Sequence, residues 1–301
     1  MAERRGVFVG LATLDLGSLV ERYPSEDTKS TALAQFTAAG GPAVNAAVTF
    51  SFLAGGGAQL VTGLGTHFLA DVVRDDLRRH AVSLVDLAAE RTQPPPVSSI
   101  ITSRDNGSRT VVSRDASGLA VPATRYPETL LRDAAIVLVD GHLAEVSRSV
   151  AQAARKAGVP VIFDGGRWKP SDHDLLTYVD IAICARSFRP PALTGGWRGV
   201  HAYLHEAGVR MVATTDGAGP VRFSTGTLEG TVAVPQTEVI DTLGAGDIFH
   251  GAFCHHYLAG HRFGEALARA AVVASASCAS FGTREWMHSA MPDRHAEHRD
   301  P

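Results

Sequence analysis

The chain has 301 residues, of which 45% are hydrophobic and 20% charged, a composition that supports one large globular domain or two smaller ones and excludes wholesale disorder. Its 28 Lys and Arg stand against 31 Asp and Glu, a formal charge of -3, which leaves no basic excess to draw the chain to nucleic acid or to an anionic membrane. The three cysteines, Cys184, Cys254 and Cys278, form no C-x-x-C pair, so neither a disulfide framework nor a structural zinc site is expected and a reducing, cytoplasmic setting fits best.

At the N-terminus, residues 1–10 (MAERRGVFVG) have too short an apolar part for a secretion signal, and no later run approaches the ~18 residues needed to cross a bilayer. A strand-like run follows at 7–11 (VFVGL), and similar runs recur at 58–61, 136–139, 159–163, 181–184 and 209–214. Most are separated by segments long enough for a helix, such as 147–157 before Gly158. Strands alternating with helices imply a largely parallel sheet covered on both faces. Two stretches break the rhythm, 16–36 and 97–113, where polar and β-branched residues alternate. The second contains Asn106-Gly107, a strong hairpin signal, and the run Gln93-Pro94-Pro95-Pro96 makes a stiff entry to it. Both stretches read as strands of a small sheet projecting from the α/β body. The polar tail, 291–301, is expected to be frayed.

Chemistry concentrates in a few places. Asp15 stands just after the first strand run, where a carboxylate at the C-terminal edge of a parallel sheet faces the usual ligand crevice, or simply ends a strand. Gly40-Gly41-Pro42 opens a helix, with glycines suited to an unusual backbone and Pro42 to the first turn. Asn45 is then a lone amide among Ala and Val, able to read hydroxyl groups. The sharpest signal is 239–251, VIDTLGAGDIFHG. Gly244, Ala245 and Gly246 form a small-residue turn before a helix, so backbone N–H groups there can converge on an anion. Asp247 at the helix opening is placed either to cap it or to take a proton from a group held against the turn. His201 with His205, and the group His250, Cys254, His255 and His256, could each bind a metal in principle, but the first pair lacks a third ligand at fitting spacing and His-rich helices are more often solvated or core, so no metal site is expected.

These residues resemble the ribokinase-like (PfkB) carbohydrate kinases. Asp241 to Asp247 matches that family's C-terminal signature, and Gly40-Gly41 with Asn45 its N-terminal one. Stretches at 14–27, 70–84 and 106–112 look most like ketohexokinases. The resemblance implies a Rossmann-like three-layer α/β sandwich with a small β-sheet lid, the α/β domain taking residues 1–15, 37–96 and 114–301 and the lid 16–36 and 97–113. It implies ATP and Mg²⁺ as cofactors, with K⁺ activation left open, and a sugar held beneath the lid by Asp15, Gly40, Gly41 and Asn45, with Arg109 near the transferred phosphate. Asp247 would be the base, helped by the amides of Gly244, Ala245 and Gly246. Thr215, Gly217 and Gly219 resemble the turn beside ATP. The family's Asn-x-x-Glu pair has no acidic counterpart in 182–188. Ketohexokinase-like proteins dimerise through their lids, which here would bring Asp27 to the neighbour's sugar site. Pro42 stands where ketohexokinases carry an amide, and Gly40 to Ala43 is similar to sulfofructose kinases, for which Lys29 would offer a cation. A sugar- or nucleotide-binding regulator of the same fold is the non-enzymatic alternative. No lysine stands in a P-loop or in a protein-kinase strand motif.

Overall fold

The computed structural model describes residues 5–119, 121–123 and 126–289; the tail at 291–301 lies outside them. Strand β1 (Arg5–Val9) is buried along nearly its whole length, as a strand covered on both faces must be. The chain then leaves the main body for β2 (Thr13–Val20) and β3 (Ala34–Gly40). It returns through α1 (Pro42–Ala54), β4 (Ala58–Thr62), α2 (Phe68–Arg79) and β5 (Val82–Asp86), and leaves again for β6 (Val97–Ser103) and β7 (Arg109–Ser113). The body resumes with β8 (Ala134–Val139), α3 (Ala144–Lys156), β9 (Val161–Gly165), α4 (Asp172–Leu176), β10 (Ile181–Ala185), α5 (Gly196–Glu206) and β11 (Met211–Asp216). A hairpin of β12 (Gly219–Ser224) and β13 (Glu229–Val232) precedes α6 (Ala245–Leu258), α7 (Phe263–Ser277) and α8 (Trp286–Ser289).

The body strands form one nine-stranded sheet in the order β13-β12-β11-β10-β9-β8-β1-β4-β5. Neighbours from β5 to β11 are parallel, and β12 and β13 finish one edge antiparallel. Side chains alternate between faces. Phe8, Leu138, Ile162 and Ile183 pack with residues of α1, α6 and α7, while Val7, Val137, Phe163 and Cys184 pack with residues of α3 and α5. The result is a three-layer sandwich. No helix among the described residues is long and apolar enough to cross a membrane.

A second, four-stranded sheet has the order β3-β2-β6-β7. Its central pair, β2 and β6, is parallel and the flanking pairs are antiparallel. The β6–β7 turn holds Gly107 at φ 65°, and Asn106 Oδ1 accepts the Ser108 N–H at 3.0 Å. This sheet begins earlier and ends later than 16–36: Thr13 pairs with Gly40, and Asp15 with Ala38. Asp15 therefore belongs to a strand of the small sheet rather than to the end of β1, because the chain bends at Gly10 and changes sheet inside what reads as one apolar run. Residues 21–33, between β2 and β3, form an irregular segment instead of strand.

Two helices set the position of the chemistry. Helix α1 is buried from Ala43 to Ser51, and its small residues let α6 come close. A Cβ added to Gly251 of α6 would collide with the carbonyl oxygen of Ala46 and come within 2.8 Å of Thr49 Cβ. The backbones touch at that crossing. Asn45, one residue before Ala46, is thereby brought to Asp247, one turn before Gly251.

Candidate active site

Gly244 starts α6 in a left-handed conformation, φ 68°, with no side-chain cap. A Cβ there would lie 2.8 Å from Thr283 Cγ2 and 3.2 Å from Asn45 Nδ2, so both the dihedral and the packing demand glycine. Gly246, in contrast, faces open space. The first-turn amides of a helix have no intrahelical partners and carry its positive dipole end, so this turn presents N–H groups to whatever enters above it. Asp247 does not cap the helix. Its Oδ2 accepts a hydrogen bond from Asn45 Nδ2 at 2.8 Å. Burial pushes its carboxyl up to about 7, reinforced by the Asp164 charge and opposed by the Asn45 hydrogen bond and by His250. A carboxyl poised near neutrality can exchange a proton with a hydroxyl.

On one side of Asp247 lies the root of the small sheet. Asp15 is buried, its Oδ1 accepts from the Thr13 hydroxyl at 2.6 Å, and burial raises its carboxyl against the opposing pull of Thr13, Ser98 and Arg284. A Cβ on Gly40 would collide with the Asp15 carboxylate, so glycine alone lets β3 pass. Gly41, at φ 98°, precedes α1, which opens on Pro42. Arg109 of β7 donates to Thr242 Oγ1, joining the small sheet to the loop ahead of α6. The structure thus brings Asp15, Gly40, Gly41, Asn45 and Asp247 to one place. Asp27, at φ 56°, and Lys29 stay exposed in the irregular segment between β2 and β3.

On the other side is a cleft of about 430 Å³ whose walls include Arg109, Thr215, Gly217, Ala245 and Gly246, with Val221, Val234, Phe249 and Ala271 as apolar surface. Gly217 has φ 57°. Gly219 opens β12 opposite Asp216 and closes the turn; it does not line the cleft. At 182–188, β10 runs out into Arg186, whose Nε lies 3.1 Å from Asp216 Oδ1. No Asp or Glu stands in this stretch.

Residues 4–290 match the family model described as pfkB family carbohydrate kinase. The chain belongs to that family. It is 25% identical over 296 residues to mouse ketohexokinase, covering 92% of this chain and 97% of the relative, and 29% identical over 293 residues to a ribokinase of Arabidopsis thaliana, covering 89% and 74%. Among solved structures it resembles the Arabidopsis thaliana ribokinase complexed with ribose and ATP, with TM-score 0.74, 26% identity and 94% of each chain covered. The Giardia lamblia ribokinase shares the fold, with TM-score 0.82 at 18% identity over 95% of this chain and 98% of that one. The architecture is ribokinase-like, a large mixed sheet with a smaller one, and the protein is a carbohydrate kinase.

Four further residues, Asp241, His250, Asp164 and Arg284, surround the groups of this site, and sequence reading gave none of them a role there. Asp241 is buried; its Oδ1 accepts the Leu243 N–H and its Oδ2 the Gly282 N–H, both at 3.0 Å, so it fastens the signature loop to the segment before α8. His250 sits beneath Asp247, with Nδ1 2.7 Å from Gly246 O and Nε2 3.1 Å from Ile183 O. Asp164 Oδ2, 3.4 Å from His250 Nδ1, is buried without an aligned hydrogen bond. Arg284 reaches Asn45 Oδ1 from Nη1 at 3.0 Å, and Ala39 O and Asp76 Oδ2 from Nη2 at 2.7 and 3.2 Å. No spacing rule links residue 284 to residue 45, so only the fold reveals the contact. Of the other histidines, His201 and His205 both face Ser224 Oγ, at 2.9 and 2.7 Å.

Proposed function

We propose that this kinase transfers the γ-phosphate of ATP to a hydroxyl of a ketohexose, with Asp247 as the general base. The observation that carries the reading is the Asp247 carboxyl, held by Asn45 between the buried Asp15 side and the cleft, with a carboxyl pushed up to about 7. The sugar would lie against Asp15, Gly40, Gly41 and Asn45, hydroxyl towards Asp247. As that oxygen bonds to the γ-phosphorus, Asp247 takes its proton and the bond to the bridging oxygen of ADP breaks. The first-turn amides at Gly244, Ala245 and Gly246, with Arg109, face the charge on the transferred group. Thr215 and Gly217 border the nucleotide, and the apolar walls suit a base. The relatives support sugar and ATP as substrates: one is a ketohexokinase, and another has been solved with ribose and ATP.

Among the described residues no three His, Cys, Asp or Glu side chains converge as a ready-made metal cage. Mg²⁺ would arrive on the ATP phosphates with most of its waters, and Asp164, whose buried Oδ2 makes no hydrogen bond, is the acceptor that would hold them. The ion would neutralise charge on the β- and γ-phosphates. A cytoplasmic setting, where such a nucleotide is available, belongs to the same reading.

Measuring ATP consumption against ketoses, aldoses, sulfofructose and nucleosides tests the proposal. A ketohexose should give the highest kcat/KM; binding of sugar and nucleotide without turnover would instead identify a regulator. The reading in favour of a charged ketose rests on Lys29 in the exposed segment and on Pro42 in place of an amide. Replacing Lys29 by Ala should then cost a sulfonated sugar roughly 1.5 to 3 kcal/mol in kcat/KM, the scale of a hydrogen bond to a charged group, and a neutral ketose almost nothing. Equal effects on both retire that substrate.

We further propose a homodimer joined through the small sheets. Leu16 and Val112 lie in one row across that sheet, each opposite Ser99, and are 42% and 69% exposed. Exposed apolar side chains on one face ask for cover, and a two-fold contact supplies it with the identical face of a second copy. Sedimentation at micromolar concentration should give a dimer, and Val112→Lys should shift it to monomer. A wild-type monomer ends the idea.

A further inference from the structure

We infer that Arg284 is a positioning residue for phosphoryl transfer, acting through Asn45 to fix the orientation of Asp247 and to tie it to the root of the small sheet. This rests on the assignment of Asp247 as base.

An Asn amide can present either end to a neighbour, and only one orientation serves here. Nδ2 must face the Asp247 carboxylate and Oδ1 must face away. Arg284 selects that orientation: its Nη1, a donor that cannot accept, lies 3.0 Å from Asn45 Oδ1 while Nδ2 lies 2.8 Å from Asp247 Oδ2. The reversed amide would set two donors against each other at one end and two acceptors at the other.

The other arm of the guanidinium reaches the sugar side. Nη2 donates to the Ala39 carbonyl at 2.7 Å, and Asp76 Oδ2, 3.2 Å from the same nitrogen, accepts the Ala39 N–H at 3.0 Å. The residue immediately before Gly40-Gly41 is therefore clamped through both its backbone polar groups. One planar fork spans the end of β3 and Asn45 of α1, a task a lysine ammonium cannot perform from a single nitrogen. The fork is itself anchored. Asp241 accepts from Gly282 N–H, Arg284 Nη1 also donates to Thr283 Oγ1 at 2.9 Å, and Trp286 packs on Phe52 of α1 with ring centroids 5.3 Å apart. The Arg284 side chain is only 14% exposed, so water cannot take over its bonds.

The groups facing Asp247 are Asn45 from α1, Asp164 from β9, His250 from α6 itself and Asp15 from β2, with Arg284 behind Asn45. The Asn45 hydrogen bond holds the Asp247 carboxyl down against burial. Freeing the amide to turn weakens that hold, so the acid limb of the kcat profile moves to higher pH.

The test is a double-mutant cycle on kcat between Arg284→Gln and Asn45→Ala, with kcat–pH profiles and melting curves for each variant, and Arg284→Lys as the variant that keeps the charge. Arg284→Gln should lower kcat roughly tenfold to a hundredfold, the scale of a small misplacement of a reacting group, and raise the acid midpoint. In the Asn45→Ala background it should cost less than about twofold, since coupled residues are non-additive. Arg284→Lys, if Gln unfolds the protein, should show the same non-additivity with a smaller loss. Independent, multiplying losses or an unmoved midpoint in a folded Arg284 variant overturns the inference. Full turnover by Asp247→Asn overturns the underlying assignment instead, so the two failures are distinct.

Discussion

Replacing Asp247 by Asn should lower kcat by about 10² to 10⁴, the range that a general base contributes, while KM for ATP stays within a few-fold. The amide keeps the size of the side chain but cannot take a proton. In the wild-type enzyme the acid limb should fall tenfold per pH unit below about 7, where burial has placed the Asp247 carboxyl, and the residual rate of the Asn variant should lose that limb. Stability should move the opposite way. The folded protein holds a proton on Asp247 more tightly than the unfolded chain does, so the stability tied to that proton is complete below the ordinary carboxylate range. It is lost as pH rises through about 7. Asn carries no such titration, so at pH 8 the variant should melt higher than wild type, and at pH 4 the gap should close. A variant that retains more than a tenth of wild-type kcat is incompatible with Asp247 as base.

Gly251→Ala should destabilise the kinase by about 1 to 3 kcal/mol and lower kcat with it. Helix propensity alone points the other way, since Ala is favoured over Gly by about 1 kcal/mol in a helix interior. The crossing decides the sign: the added methyl would collide with the Ala46 carbonyl oxygen, and a backbone atom held in a buried helix cannot swing aside. Separating α1 from α6 lengthens the Asn45–Asp247 bond, so activity should fall further than the melting temperature implies. Denaturant midpoints and kcat measured on the same preparation check both parts. An unchanged or raised midpoint would show that the helices yield at this point.

The parallel strands β1, β4 and β8 to β11 are legible because they are largely buried and so read as short apolar runs, as at 136–139 and 181–184, whereas β5, also parallel but half-exposed, gives no such run. The hairpin at Asn106-Gly107 is legible because positive φ has few residue solutions. The antiparallel strands β12 and β13 escape notice, since their alternation is weak and half-exposed. The change of sheet between β1 and β2 escapes for the opposite reason: both strands are apolar and only Gly10 marks the bend. At the site, Asp247 and Asn45 stand out as polar residues in small-residue turns. Arg284 does not, because its partners are distant in sequence and its value lies in a geometry that only the closed fold creates.

The order in which the site's parts are synthesised has its own consequence. Strand β1 is made first yet lies between β4 and β8, and Asn45 on α1 meets its partners only with α6 and Arg284, 202 and 239 residues later. A half-made chain therefore holds Gly40, Gly41 and Asn45 but neither the Gly244 to Gly246 turn with Asp247 nor Arg284. If Asp247 is the base, as proposed, a chain that ends before α6 lacks the group that would take the hydroxyl proton, and transfer awaits the last fifth of the sequence.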